Sequence, residues 1–169
     1  DTHSPLLIDA NLNFDQFKFN SKWPEFTDLN ANVRFDGESV EITANNAKIL
    51  NRSVTSLAAK IADVSDPVLV VVGRIAADMQ DGFRLLQESP LKATVGEDLK
   101  GLLLSGPLDL DLNLTIPLAM DAQSAPPVTV LGNIRLVNNT LQIPTWKINA
   151  DNVNGELIFT EKGVSAPNL

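Results

Sequence analysis

Asp109, Asp111 and Asn113 stand at every second position of the stretch SGPLDLDLNLTIPL (105–118), and oxygen ligands at that spacing open a calcium loop. A helix-loop-helix calcium site also needs glycine at its sixth position and glutamate at its twelfth. Counted from Asp109, those places hold Leu114 and Met120. The two aspartates could instead pair as general acid and base, but catalytic carboxylates sit in pockets that shift their pKa values, and nothing in the stretch builds one. On a strand, residues two apart share a side, so Asp109 and Asp111 read as the wet face of a half-buried sheet. No metal site is expected.

Other chemistry has less to stand on. His3 is the single histidine, and the chain has no cysteine, which removes histidine-based triads, thiolate nucleophiles, disulfides and the usual zinc sites. None of the nine glycines falls in a phosphate-binding or dinucleotide-binding loop. The sequence therefore predicts a protein that is not an enzyme and carries no cofactor. Trp23, Trp146, Phe14, Phe17 and Phe19 could stack on bases or sugars, but in an acidic chain they are expected in the core.

The charge points the same way. With 21 acidic against 13 basic residues, the net charge is -8 and the pI about 4.5, so phosphate backbones are repelled and no nucleic-acid partner is expected. Hydrophobic residues make up 44%, enough for a folded chain, and no run of about 18 apolar residues occurs to span a membrane as a helix. The chain opens and closes on strand-like sequence, as a piece of something longer would.

The elements that would carry these side chains follow a period of two. Leu108, Leu110, Leu112, Leu114 and Ile116 alternate with polar residues, which puts every apolar side chain of a strand on one face. This long strand is expected to start at about residue 103. Ile8, Ala10, Leu12 and Phe14 repeat the pattern, as do Val128, Val130, Ile134 and Leu136, and Leu157 and Phe159. PVLVVV (67–72) is apolar on both faces, as in a covered strand. Asp36-Gly37, Asn138-Asn139 and Lys162-Gly163 tolerate positive φ and are expected to turn hairpins. ANVRFDGESVEI (31–42) aligns without gaps to GNIRLVNNTLQI (132–143), with nine of twelve positions identical or similar, which suggests a recurring hairpin.

Between the halves, Met79, Phe83 and Leu86 fall at helical spacing, with Asp78 placed to cap and Glu88-Ser89-Pro90 to stop, and a second turn is expected near 95–102. The expected fold is mainly β, a long antiparallel meander with one or two short helices between its halves. The boundaries are 1–77 for a first β unit, 78–101 for a helical connector and 102–169 for a second β unit. Apolar strand faces of this kind can pack on one another in a closed sandwich or line a concavity filled by an apolar ligand. Alternation alone is satisfied by both.

An ordered set of segments carries a family resemblance: FNSKWPEFTDLNANVRFDGESVEI (19–42), IADVSDPVLVVVGRI (61–75), GFRLLQESPL (82–91) and LLSGPLDLDLNLTIPL (103–118). Together they resemble the periplasmic region of YhdP-type members of the AsmA-like family, bridge-like lipid transfer proteins of the Gram-negative envelope. That resemblance implies stacked repeats forming a curved, groove-like sheet with a hydrophobic concave side. It also implies a periplasmic location, a parent chain anchored in the inner membrane, and transport of glycerophospholipids between inner and outer membranes through parts of the parent beyond this segment.

On that reading Leu108, Leu110, Leu112, Leu114 and Ile116 form the groove wall with Val128, Val130, Ile134, Leu136, Leu141 and Ile143 on the paired strands, and the partners are phospholipid acyl chains. Water penalises a buried-seeking tail by about 0.8 kcal/mol per CH₂, so a tail of roughly sixteen carbons needs on the order of 10 kcal/mol of shelter. Aliphatic side chains give that shelter without directional bonds, which lets a tail slide. Open sheet edges would also allow self-association. The rival expectation is a closed β-sandwich or solenoid, an envelope scaffold or adhesin with no ligand, in which the same leucines form a dry core.

Overall fold

The computed structural model describes residues 6–118 and 126–168; His3 and Met120 lie outside them. The described strands form one antiparallel sheet that curves and stays open. β1 (Leu7–Phe17), β2 (Phe26–Asp36), β3 (Ser39–Ile49), β4 (Arg52–Ile61) and β5 (Val68–Asp78) follow one another in space as in sequence. The chain then leaves the sheet for α1 (Met79–Gln87), a 3-10 turn at Pro90–Ala93 and a single turn α2 (Val95–Asp98). It returns as β6 (Leu103–Ser105) and β7 (Pro107–Pro117), and closes with β8 (Thr129–Ile143), β9 (Ile148–Thr160) and β10 (Gly163–Asn168). β7 pairs with β5, so the helical excursion leaves the order of the meander unbroken.

The turns are local chemistry. Gly37, at φ +60°, lets β2 and β3 join through two residues, with Asp36 paired to Ser39. Thr160 pairs with Gly163 across Glu161-Lys162. Leu50 and Asn51, both at positive φ, connect Ile49 to Arg52, a two-residue turn in which Leu50 carries a conformation that branched and bulky residues seldom adopt.

Asn138-Asn139 differs from its expectation. Asn138 does sit at φ +55°, but β8 runs on through it, and the register against β9 shifts there as a bulge. The alignment of 31–42 with 132–143 therefore compares a hairpin with one strand. Asn139 is fully buried and explains the difference. Its amide donates to the carbonyls of Ser105 (3.1 Å) and Pro107 (2.9 Å), while its Oδ1 accepts from the Val137 amide at 2.8 Å. Those carbonyls flank Gly106, at φ +112°, where the expected single long strand is broken into β6 and β7, both paired to β8. A Cβ at Gly106 would stand 2.9 Å from the Asn139 amide nitrogen, so the kink needs glycine.

The helix expectation holds for α1, whose Met79 and Leu86 are buried against the sheet. Asp78 occupies the N-cap position but makes no capping hydrogen bond; the first amide, that of Met79, instead donates to the Gly106 carbonyl at 2.9 Å.

Candidate functional site

Residues directly opposite each other in an antiparallel pair share a face, so the register traces each face across the whole sheet. Ile8 stands opposite Phe35, Phe35 opposite Val40, Val40 opposite Ile61, and Ile61 opposite Leu69. Leu69 faces Ile116; one step along, Val71 faces Leu114 and Leu114 faces Val130. Ile75 faces Leu110, Leu110 faces Ile134, and Ile134 faces Leu157. One face, the inner one, is therefore apolar from the first strand to the ninth. No segment of the sequence shows this alone, because it depends on every register being in phase.

The inner face is covered unevenly. Segment 79–101 lies mainly over the β7–β9 part, where Leu108, Leu110, Leu157 and Phe159 are buried among Met79, Leu86, Leu91, Val95 and Leu104, while Leu85 of α1 reaches the buried cluster around Phe26 and Ile49. Trp23, from the β1–β2 connection, joins the same cluster, stacked at a tilt on Phe19 with ring centroids 6.0 Å apart. Between this cover and the sheet remains a cavity of about 50 Å³, lined by apolar side chains and Gly82. That is the space of one or two waters, far less than an acyl chain fills.

The β1–β5 part is different. A cleft of about 90 Å³ opens there between Phe17, Phe26, Leu29, Ile42, Leu57, Leu69 and Val71, with no polar side chain in its wall. Beside it the β1 residues Ile8, Leu12 and Phe14 remain 45%, 39% and 36% exposed. Phe17 and Trp146 are also exposed, the latter at 71%, so the expectation that these aromatics lie in the core holds for Trp23 and not for Phe14, Phe17 or Trp146. β1 pairs on one side only, and nothing among the described residues folds over it.

The residues expected to line a wall occupy the following places. Leu108, Leu110, Leu114 and Ile116 are buried on the inner face and Leu112 is half-buried between them. Val130 and Leu136 are buried, and Val128, Ile134, Leu141 and Ile143 are partly so. Of these, Leu108, Leu110, Leu112 and Ile134 line the roofed cavity. The wall of the open cleft comes instead from Phe17 of β1 and from β2–β5, which alternation picked out less well: the β4–β5 register slips between Val54 and Ser56, and the run Val68–Val72 conceals which of its residues face inward. Leu69 and Val71 do; Val72 faces outward and is half exposed, so β5 is not covered on both sides as expected.

Asp109, Asp111 and Asn113 lie on the outer face. Arg74 grips Asp109 through two hydrogen bonds, Nε to Oδ1 at 3.1 Å and an Nη to Oδ2 at 2.8 Å, and Arg135 adds a third at 3.1 Å. Arg74 also comes within 3.7 Å of Asp111. The hydrogen bond from Arg74 holds the Asp109 carboxyl below the usual carboxylate range, with its charge and that of Arg135 adding to the effect. The alternating acids are thus cross-strand ties that stitch β5, β7 and β8. Among the described residues no group of three or more His, Asp or Glu side chains is placed to hold a metal ion.

Comparison with known proteins adds a family. The family described as "YhdP protein" matches residues 3–169. The Intermembrane phospholipid transporter YhdP of Escherichia coli (strain K12) is 26% identical over 154 residues, which cover 91% of this chain. The chain spans only 12% of that relative's length. No solved structure matches.

Proposed function

The chain belongs to the YhdP family, and from that premise we propose that it is one section of a lipid conduit, whose inner apolar face shelters the acyl chains of glycerophospholipids passing between the two membranes of a Gram-negative envelope. The observation that carries this reading is the inner face itself: apolar in register across eight strands, with a cleft walled only by hydrocarbon in its β1–β5 part. The relative's name, phospholipid transporter, supplies the guest. Such a surface lowers the cost of carrying a tail through water by about 0.8 kcal/mol for each methylene it covers.

Its role is non-enzymatic and its place periplasmic, with the membranes reached through other parts of the longer protein. Leu114, Ile116, Val128 and Val130 continue the wall from the open cleft, while Leu108, Leu110, Leu112, Ile134, Leu136, Leu141 and Ile143 extend it beneath and beyond the helical cover. The rival reading, a scaffold with a dry core, is favoured by the burial of Leu108 and Leu110 under α1 and has nothing to say of the open cleft.

Val71 and Val72 separate the two, because adjacent residues point to opposite faces. A photo-crosslinking side chain at Val71 is expected to capture phospholipid from vesicles, and the same group at Val72 is not. Equal labelling at both positions, or none at Val71, together with no lipid in an organic extract of the purified chain, would leave the scaffold reading standing.

A further inference from the structure

We infer that segment 79–101 is a displaceable roof that competes with an acyl chain for the same stretch of inner wall, so that the conduit is gated at Leu108 and Leu110. This rests on the lipid reading above and adds its regulation.

The roof occupies what the conduit would offer a guest. Phe83, Leu86, Leu91 and Val95 sit against Leu108, Leu110, Ile134 and Phe159, the residues that continue the open inner face of β4 and β5. An acyl chain arriving there would exchange one hydrocarbon contact for another, so displacement leaves no apolar wall bare.

Its polar attachments are few: the Met79 amide is held at its root by the Gly106 carbonyl, and the other two lie at its sides. Asp81 of α1 pairs with Arg52 of β4 at 2.9 Å, and Asp98 of α2 accepts the Val164 amide of β10 at 2.9 Å. The roof therefore spans from the fourth strand to the last and is latched at both. Beneath it β5 and β7 pair without interruption from Val68–Pro117 to Asp78–Pro107, so lifting the roof breaks no bond of that ladder.

The seat is loose where it could be tight. The cavity of about 50 Å³ under the roof has no polar lining to hold water in place, and side chains facing a void forgo contacts that a close-packed core would make. The helices are short, nine and four residues, and draw most of their order from this packing. At its exit, Gly101 lies at φ +84° with nothing within 4 Å of where a Cβ would stand, a pivot with room to swing.

Because the chain has no cysteine, the latch can be replaced by a covalent one without background. The experiment places a photo-crosslinking residue at Leu110, with the Val71 probe as reference, and exposes the 169-residue chain to phosphatidylethanolamine–phosphatidylglycerol vesicles. Joining Asp98→Cys to Val164→Cys with a short bis-maleimide, which adds one thiol at each end, is expected to lower lipid labelling at Leu110 by about tenfold while labelling at Val71 is unchanged. Removing both latches, Asp81→Ala with Asp98→Ala, is expected to raise Leu110 labelling about three- to tenfold. Gly82 gives an independent lever: its Cβ would come 2.7 Å from Leu108 Cδ2, so Gly82→Leu wedges α1 outward and is expected to raise labelling too. Strand circular dichroism and Val71 labelling report on folding in each variant. Val71 labelled throughout with Leu110 indifferent to linker, latch and wedge would show a fixed core and overturn the roof while sparing the conduit. Silence at both positions would overturn both.

Discussion

Two regions of one sheet face share a pattern and differ in fate. In the β7–β9 region, inward leucines such as Leu110 are 4% exposed beneath α1 and Trp23; on the edge strand β1, Ile8 and Phe14, also inward by register, are an order of magnitude more exposed. Alternation decides which side of a strand is apolar. What covers that side is decided by a 23-residue excursion, 79–101, and by one tryptophan in a turn. The same residue type is therefore a stability determinant in one region and an exposed apolar surface in the other.

The contrast is greatest for phenylalanine. Phe159 lies over Gly132, its cross-strand partner, and a Cβ at Gly132 would run into the ring. Truncating Phe159 to alanine is expected to cost about 3–5 kcal/mol, through lost burial and the cavity left above Gly132. Phe14→Ala, on the exposed β1 face, is expected to cost less than about 1 kcal/mol. Urea unfolding of the two variants measures the gap. Comparable losses would mean that the β1 face is covered in solution, and the regions would then be alike.

Asparagine sharpens the comparison at a smaller scale. Asn139→Ala removes a fully buried amide and leaves the part-buried Ser105 and Pro107 carbonyls without their donor, at a cost of about 1–3 kcal/mol. Asn30 also bonds side chains on both neighbouring strands, Asn13 and Asn45, but that ladder is exposed to water, which replaces what is lost. Asn30→Ala is expected to stay within about 0.5 kcal/mol. Amide exchange along β6 should quicken only in the first variant, because Asn139 and not Asn30 holds the carbonyls on either side of Gly106.

These residues also mark how far the sequence can be read. The order of strands, the helical excursion and the antiparallel meander follow from periods of two and of about 3.6, which are local quantities. Asn138-Asn139 shows the limit: positive φ was legible, but whether it turns a hairpin or bulges a strand depends on carbonyls more than thirty residues away. The open cleft was obscured for a similar reason. In Val68–Val72 both faces are apolar, so only pairing with Leu114 and Ile116 shows that Val71 and Leu69 point inward. Phe14 and Phe17 were expected in a core because aromatic residues gain most from burial. They are exposed because β1 is an edge strand outside the reach of the roof. Asp109 and Asp111 read as a wet face, which they are, but their arginines come from β5 and β8 and needed the register to be found.

Those arginines give the smallest effect, at the seam where the two regions join. Arg74 belongs to the last strand of the first region and Asp109 to the first long strand of the second, so their hydrogen bonds tie the halves together on the outer face. Asp109 has its pKa lowered on folding, chiefly by the Arg74 hydrogen bond. A carboxylate with a depressed folded pKa contributes stability above its unfolded value of about 3.9, and the contribution is lost as pH falls through the folded one. Asp109→Asn is thus expected to lower the unfolding midpoint slightly at neutral pH, and the difference from the parent chain should fade as pH drops below the carboxylate range, where the parent loses the same charge. The tie is half-exposed and salt-screened, so added salt should shrink the difference as well. Lipid labelling at Val71 should not change, because the substitution touches only the outer face. A loss of labelling would mean that the seam sets the curvature of the open region, and the two regions would then no longer be independent.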